Sequence, residues 1–244
     1  MLHYSNREQI CKSKKTDVEN LAQKTIDRFG AVHIVCNNAG VMRGDVSWQM
    51  PVEDYAWHID VNLWGVIHGV RTFVPILIEQ DTDAHIVHTG SMSSLTATPY
   101  TAAYTLSKHA VIAFSECLYH ELILSGKKIG VSVICPAAVK TKIYEAEQHR
   151  QNRYKPASRG DTSLSDMIQA ALEDSFKGGI TPNEVARQTI RAIQNNQFYV
   201  LPEGGDAFRW IKVVHGRLDD IRECRNPVFV NPDEISKNDW DSFS

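Results

Sequence analysis

Val32-His33-Ile34-Val35-Cys36 runs straight into Asn37-Asn38-Ala39-Gly40. A short, continuous, β-branched apolar run that ends in a turn reads as a strand covered on both faces, as in a parallel sheet. Three further runs repeat the pattern: His85 to His88 (HIVH), Val131 to Cys135 (VSVIC) and Phe198 to Leu201 (FYVL). Helical patterns fill the spaces between them, at roughly 52–79, 103–125 and 182–195. The last opens with Thr181 as cap, Pro182 in the first turn and Glu184 completing a capping box. A helix at 16–29 precedes the first strand, with Thr16 and Glu19 as its capping box and Gly30 as its stop. Strand alternating with helix predicts an α/β, doubly wound, Rossmann-like sheet, mostly parallel, with helices on both faces. Ligand sites in that class lie beyond the carboxyl ends of the strands.

Residues 1–202 read as one domain, with a polar, weakly periodic and mobile insertion at about 141–180 that ends in Gly178-Gly179. Residues 203–244 read as an irregular charged tail of the same domain. The chain has 244 residues, 43% of them hydrophobic, enough for a sizeable core. Its 26 Lys plus Arg against 29 Asp plus Glu give a net charge of −3, which offers no cationic field to a polyphosphate, so nucleic acid is not expected as a partner. Cys11, Cys36, Cys117, Cys135 and Cys224 are odd in number and widely spaced, which predicts reduced, buried thiols in the cytoplasm and no metal site. A polar start and no run of about 18 apolar residues predict neither secretion nor a membrane partner.

The chemistry-bearing residues cluster at the strand ends. Asn37, Asn38, Ala39 and Gly40 turn the chain away from the sheet with small residues, which lets backbone approach a ligand. Tyr104 and Lys108, four apart, share one face of a helix. A phenol of pKa about 10 is a poor acid or base at neutral pH, and a neighbouring ammonium pulls that value down. Ser91, just after the second strand, could hydrogen-bond a substrate oxygen beside the phenol. His33, His85, His88, His58 and His68 read as core or surface histidines, and Trp57, Trp64, Phe73 and Phe114 as packing.

In order, NNAG, Ser91, Tyr104-Thr105-Leu106-Ser107-Lys108 and Pro136 resemble the short-chain dehydrogenase/reductase family. Val61-Asn62-Leu63-Trp64-Gly65-Val66 is similar to its VNLxGV segment, and Ile134 to Thr141 to its CPGxVxT segment, with Ala137 in place of the usual glycine. The resemblance covers about residues 12–202. It implies an NAD- or NADP-dependent oxidoreductase that interconverts a secondary alcohol and a ketone by hydride transfer. Tyr104 would be the general acid or base. Lys108 would hold the nicotinamide ribose and lower the Tyr104 pKa, Ser91 would orient the substrate oxygen, and Asn62 would anchor a water. Asn37, Asn38, Ala39 and Gly40 would pass near the adenosine ribose, while Pro136, Ala137, Ala138, Val139 and Thr141 would line the nicotinamide side. The substrate would be a small-molecule alcohol or ketone shaped by residues 141–180, among them Ile143, Tyr144, Tyr154, Met167 and Ile168. The helices carrying Asn62 and Tyr104 would pair copies into a homodimer or homotetramer.

One part of the family pattern is missing. The family opens with a strand, a TGxxxGxG turn and a helix whose N-terminus takes the pyrophosphate, whereas no glycine here precedes Gly30. The missing portion amounts to about 50 residues, including the strand that would pair with Val32 to Cys36 and the residue that selects NAD or NADP. Near Cys11, where the family often has an aspartate, stand Lys12 and Ser13. Two expectations follow: a working dehydrogenase whose sequence here begins at an internal methionine, or a non-catalytic homologue that acts as an interaction partner or is an unstable remnant.

Overall fold

The computed structural model describes residues 14–159, 162–205 and 207–235. Cys11, Lys12 and Ser13 lie outside them. In chain order the main elements are α1 (Lys15–Phe29), β1 (Ile34–Asn37), α2 (Val52–His58), a π-turn (Ile59–Trp64), α3 (Gly65–Gln80), β2 (Ala84–Thr89), α4 (Ala102–Leu124), β3 (Ile129–Ile134), α5 (Ser163–Lys177), α6 (Pro182–Gln194), β4 (Tyr199–Val200) and α7 (Ala207–Arg222). The sheet is parallel throughout, in the order β1-β2-β3-β4. Ile34 pairs with His85, Ile86 with Val131 and Val133 with Tyr199.

One face of the sheet packs against α1, α3 and α4 through Val35, Ile86, Val131, Phe73, Leu77, Leu118 and Leu122. The other face carries Val87, Ile134 and Val200 against Ala192 of α6. α6 covers only the β2 to β4 side, so Ile34 stays 54% exposed and Cys36 is exposed beside it. The outer edge of β1 meets no strand among the described residues, and a shallow groove opens there, lined by Val18, Leu21, Ile34, Cys36 and Phe73 among others. Such an edge is a template for further strand pairing.

Several expectations need correction. α1 starts from Lys14 with no side-chain cap, so Thr16 and Glu19 form no capping box; Glu19 pairs instead with Lys15 at 3.1 Å. Gly30 does end that helix, at φ 77°. Thr181 and Glu184 do form their box. The insertion is not patternless: it holds the 15-residue helix α5. The tail from 203 holds α7, whose Trp210, Ile211 and Val214 pack on Met92, Ile112, Val133 and Cys135. Both helices alternate charged and apolar residues so closely that their apolar stripes look like surface sequence. Cys36, Cys117 and Cys224 are exposed, not buried, and only Cys135 of the described cysteines lies in the core. The continuous helical run Val52–Gln80 is by length and composition apolar enough to cross a membrane, although charged residues such as Asp60 and Arg71 interrupt its apolar stretches. In the fold its side chains Val66, Val70, Phe73 and Leu77 are core packing.

Candidate active site

β2 and β3 deliver their carboxyl ends to one place. Ser91 caps a short 3₁₀ turn, Met92–Ser94, accepting a hydrogen bond from the Ser93 amide at 3.1 Å, while its own amide donates to Ser94 Oγ at 3.1 Å. The Met92 amide donates to the Pro136 carbonyl at 2.9 Å, which ties the Ser91 loop to the loop after β3. Tyr104 and Lys108 enter from the first turns of α4 and are 7% and 3% exposed. The Tyr104 and Ser91 hydroxyls hydrogen-bond each other. Lys108 Nζ donates to the Thr89 carbonyl at 2.7 Å and lies 5.6 Å from the Tyr104 ring centre.

Asn62 sits in the π-turn, where the Gly65 amide reaches back five residues to the Asp60 carbonyl. Such wide turns recur at functional sites. The Asn62 amide clips the loop after NNAG: its Oδ1 accepts from the Val41 amide at 2.8 Å and its Nδ2 donates to the Val41 carbonyl and to Ser107 Oγ. Ser107 in turn donates to the Tyr104 carbonyl at 2.7 Å. Gly40 is thereby pressed toward the same place, since a Cβ on it would stand 3.5 Å from both Asn62 Oδ1 and Lys108 Nζ. Ser91, Tyr104, Lys108, Asn62 and Gly40 thus converge from two strand ends and two helical segments. Thr89 Oγ1 donates to Asn38 Oδ1 at 3.0 Å, leaving Asn38 exposed at the rim.

Asn37 behaves differently from its neighbours. It is buried against Gly69, where a Cβ would come within 2.1 Å of its Oδ1, so its side chain serves the sheet-to-helix contact. Pro136, Ala137, Ala138 and Val139 are half-buried along the site margin and Thr141 is exposed. Val139 bridges to Ile180, and Gly179 admits the Ala138 carbonyl so closely that a Cβ there would sit 2.3 Å away.

Burial dominates the electrostatics. It pushes the Tyr104 phenol up to about 12, with the Ser91 hydrogen bond working against it, and brings Lys108 down to about 8. The lowered phenol expected from the Tyr-to-Lys spacing is therefore not found: the ammonium is committed to the Thr89 carbonyl, and desolvation of the phenol sets the direction. Cys135, also pushed up to about 11 by burial, lies under the Ser91 loop against Gly90 and was not anticipated from the sequence as a site neighbour. His58, read from sequence as packing, is another omission. Its Nε2 accepts from the Arg43 amide at 3.0 Å and its Nδ1 donates to the Asp54 carbonyl at 2.7 Å, so it clips the same loop as Asn62, one helical turn away.

A model of the short chain dehydrogenase family matches residues 11–152. The chain belongs to that family. Among curated short-chain dehydrogenase relatives, it is 39% identical over 185 residues to a 1-deoxy-11-beta-hydroxypentalenate dehydrogenase from Streptomyces avermitilis, covering 75% of this chain and 60% of that one. It is 27% identical over 193 residues to a CLA biosynthesis dehydrogenase/reductase from Lactiplantibacillus plantarum, covering 78% and 67%. Among solved structures, a short chain dehydrogenase/reductase from Burkholderia phymatum in complex with NAD superposes with a TM-score of 0.86 at 36% identity, over 90% of this chain and 77% of that one. The chain spans 52% to 67% of the length of the first curated relatives it matches.

Proposed function

We propose that the chain carries the catalytic half of an NAD- or NADP-dependent oxidoreductase acting on a secondary alcohol or ketone. The observation that carries this reading is the convergence of Tyr104, Ser91 and Lys108, with Asn62 bracing them through Ser107. The residues fit the nicotinamide riboside end of a dinucleotide in kind: a buried phenol and ammonium stand beside Gly40, which carries no side chain to crowd them. Among the described residues no glycine-rich turn for the pyrophosphate stands ahead of β1, where Gly30 is a helix stop.

A nicotinamide would supply or accept the hydride, and the protein handles the proton. At neutral pH a phenol held near 12 is protonated. Tyr104 and Ser91 are then both donors to a carbonyl oxygen placed between them, and Tyr104 gives up its proton as negative charge develops on that oxygen. Lys108, still cationic below about pH 8, stabilises the phenolate left behind. Tyr154 and Ile168, candidates for lining a substrate, face the body: Tyr154 donates to Asp60 at 2.7 Å and Ile168 meets Gly44. Ile143, Tyr144 and the exposed Met167 remain the apolar candidates, which favours a medium-sized, moderately apolar substrate. Exposed Trp64 and Leu106 on the two long helices support a homodimer or homotetramer.

Two experiments follow. Because a lowered Lys108 keeps its charge only below its pKa, carbonyl reduction should fall as pH rises through about 8, and Lys108→Arg should move that limb by roughly two or more pH units, toward the guanidinium range. A limb that stays near 8 in the variant assigns it to another group. In a binding titration of the 244-residue chain, reduced nicotinamide mononucleotide and NADH should bind within about tenfold of one another, since no glycine-rich turn stands ahead of β1 among the described residues. NADH binding a hundredfold more tightly would locate a phosphate site elsewhere in the chain. The second reading, a non-catalytic interaction partner, is favoured by the open β1 edge beside the groove. Absence of any Lys108-dependent nucleotide binding would select it.

A further inference from the structure

Asp54, near the start of α2, is fully buried with no exposed surface and is surrounded by arginines from two other parts of the chain. Arg159 grips it with two nitrogens, Nη1 to Oδ2 at 2.8 Å and Nη2 to Oδ1 at 2.9 Å. Arg150, itself fully buried, donates Nη1 to Oδ1 and to the Tyr154 carbonyl, and its guanidinium lies 4.0 Å over the Trp57 ring. Arg43 Nε stands 3.8 Å from Oδ2. Glu147 adds a second carboxylate, 2.8 Å from Arg150 and 3.7 Å from Arg43. Arg150, Arg159 and Glu147 belong to the segment between β3 and α6, whereas Arg43 belongs to the loop that His58 and Asn62 clip beside the catalytic residues.

We propose that Asp54 is the positioning residue that seats the substrate-side segment, residues 143–177, on the body of the enzyme next to the Tyr104 site. Its catalytic consequence rests on the function proposed above; the seating does not. Beside the cluster and its Arg43–Glu147 pair, the seam carries neutral or singly charged contacts: Arg43 Nη2 donates to Ser165 Oγ at 3.2 Å, Ser165 to Asp45 at 3.2 Å, and the Gly44 amide to Gln169 at 3.4 Å. Asp54 is the body-side carboxylate of the cluster, bonded across the seam to both Arg150 and Arg159, while Glu147 faces the same three guanidiniums from the segment side at 2.8 to 3.8 Å. Removing one partner of a buried ion cluster leaves uncompensated charge, which is far more costly than the cluster's net contribution. With Asp54 neutral, three guanidiniums would face each other with Glu147 as the remaining counter-charge. The least costly relief is for Arg150 and Arg159 to leave for water, taking their segment with them. The substitution spares the catalytic side of the seam, because His58 bonds the Asp54 main-chain carbonyl and not its carboxylate.

Hydrogen exchange read by mass spectrometry on the free 244-residue chain tests this. Asp54→Asn and Arg159→Gln should each speed exchange of the amides in 143–177 on the order of tenfold or more while leaving β2, β3 and α4 unchanged. The double variant should be no faster than Asp54→Asn alone, as for two residues acting through one contact. Should Asp54→Asn fail to fold, Arg159→Gln, at the more exposed end of the cluster, decides alone. Unchanged exchange in 143–177, or acceleration spread equally into β2 and β3, would overturn the proposal. In an active preparation the same variants should raise KM for the carbonyl substrate and leave nicotinamide binding as it was; KM unchanged beside a released segment would overturn the placement next to the substrate. Wild-type protein with no turnover at all, but with the exchange pattern intact, would count against the proposed function and not against the seating.

Discussion

Tyr104→Phe is expected to lower carbonyl reduction by a factor on the order of 10² to 10⁴, the range typical of a lost general acid. Nicotinamide binding should change little, since Lys108 and its bond to the Thr89 carbonyl do not depend on the phenol oxygen. The loss should appear in kcat and in kcat/KM together, the mark of an interaction made in the transition state. Ser91→Ala should be milder, because a second donor to the same oxygen remains. The ring of phenylalanine fills the volume of the buried tyrosine, so folding is not at issue. Steady-state rates of the two variants, measured at saturating reduced nicotinamide, check the ranking. Equal rates for wild type and Tyr104→Phe would remove the phenol from the chemistry.

Acid should destabilise the fold well above the pH where carboxylates titrate. His58 and His88 are fully buried, and burial brings each from 6.5 to about 4. His88 Nδ1 donates to Ser115 Oγ, whose hydroxyl is given to the Val111 carbonyl. Both imidazoles stay neutral in the folded chain, while the unfolded chain takes up protons as soon as pH drops below about 6.5. Their stabilising contribution is complete above 6.5 and disappears as pH falls to about 4, at roughly 3 kcal/mol per histidine. His85 and His68, also lowered by burial, act in the same direction. Asp54, lowered by its arginines, loses its contribution at still lower pH. Two histidines together approach the whole stability of an ordinary domain, about 5–15 kcal/mol. Urea unfolding from pH 7 to 4.5 should therefore show a steep decline, with close to two protons taken up on unfolding. In His88→Phe that slope should drop to about one proton. A flat profile across this window would mean that the two imidazoles are hydrated in solution.

What the residues revealed and what they hid have separable causes. The four strands were legible because each is a short apolar run in a parallel sheet, and α4 because Tyr104 to Leu124 keeps one apolar register. Ser91, Tyr104, Lys108 and Asn62 were legible through ordered motifs rather than through any single spacing. α5 and α7 were not, since Met167, Ile168 and Leu172, or Trp210, Ile211 and Val214, are interleaved with charges. The seating of 143–177 was invisible for another reason: Asp54, Arg150 and Arg159 are 96 and 105 residues apart along the chain, and no local pattern announces such a pair. The direction of the Tyr104 shift was missed because spacing reports the neighbouring charge and not the depth of burial, and here burial wins.

The most direct measurement follows the hydride itself. The chain is incubated with 4-deuterated reduced nicotinamide mononucleotide or NADH at millimolar concentration and with a panel of medium-sized ketones, and the alcohols are read by mass spectrometry. Hydride transfer beside Tyr104 predicts one deuterium on the carbinol carbon, formed by wild type and nearly absent with Tyr104→Phe. No deuterated alcohol from any ketone, or equal amounts from both proteins, would contradict a dehydrogenase site built on Tyr104, Ser91 and Lys108.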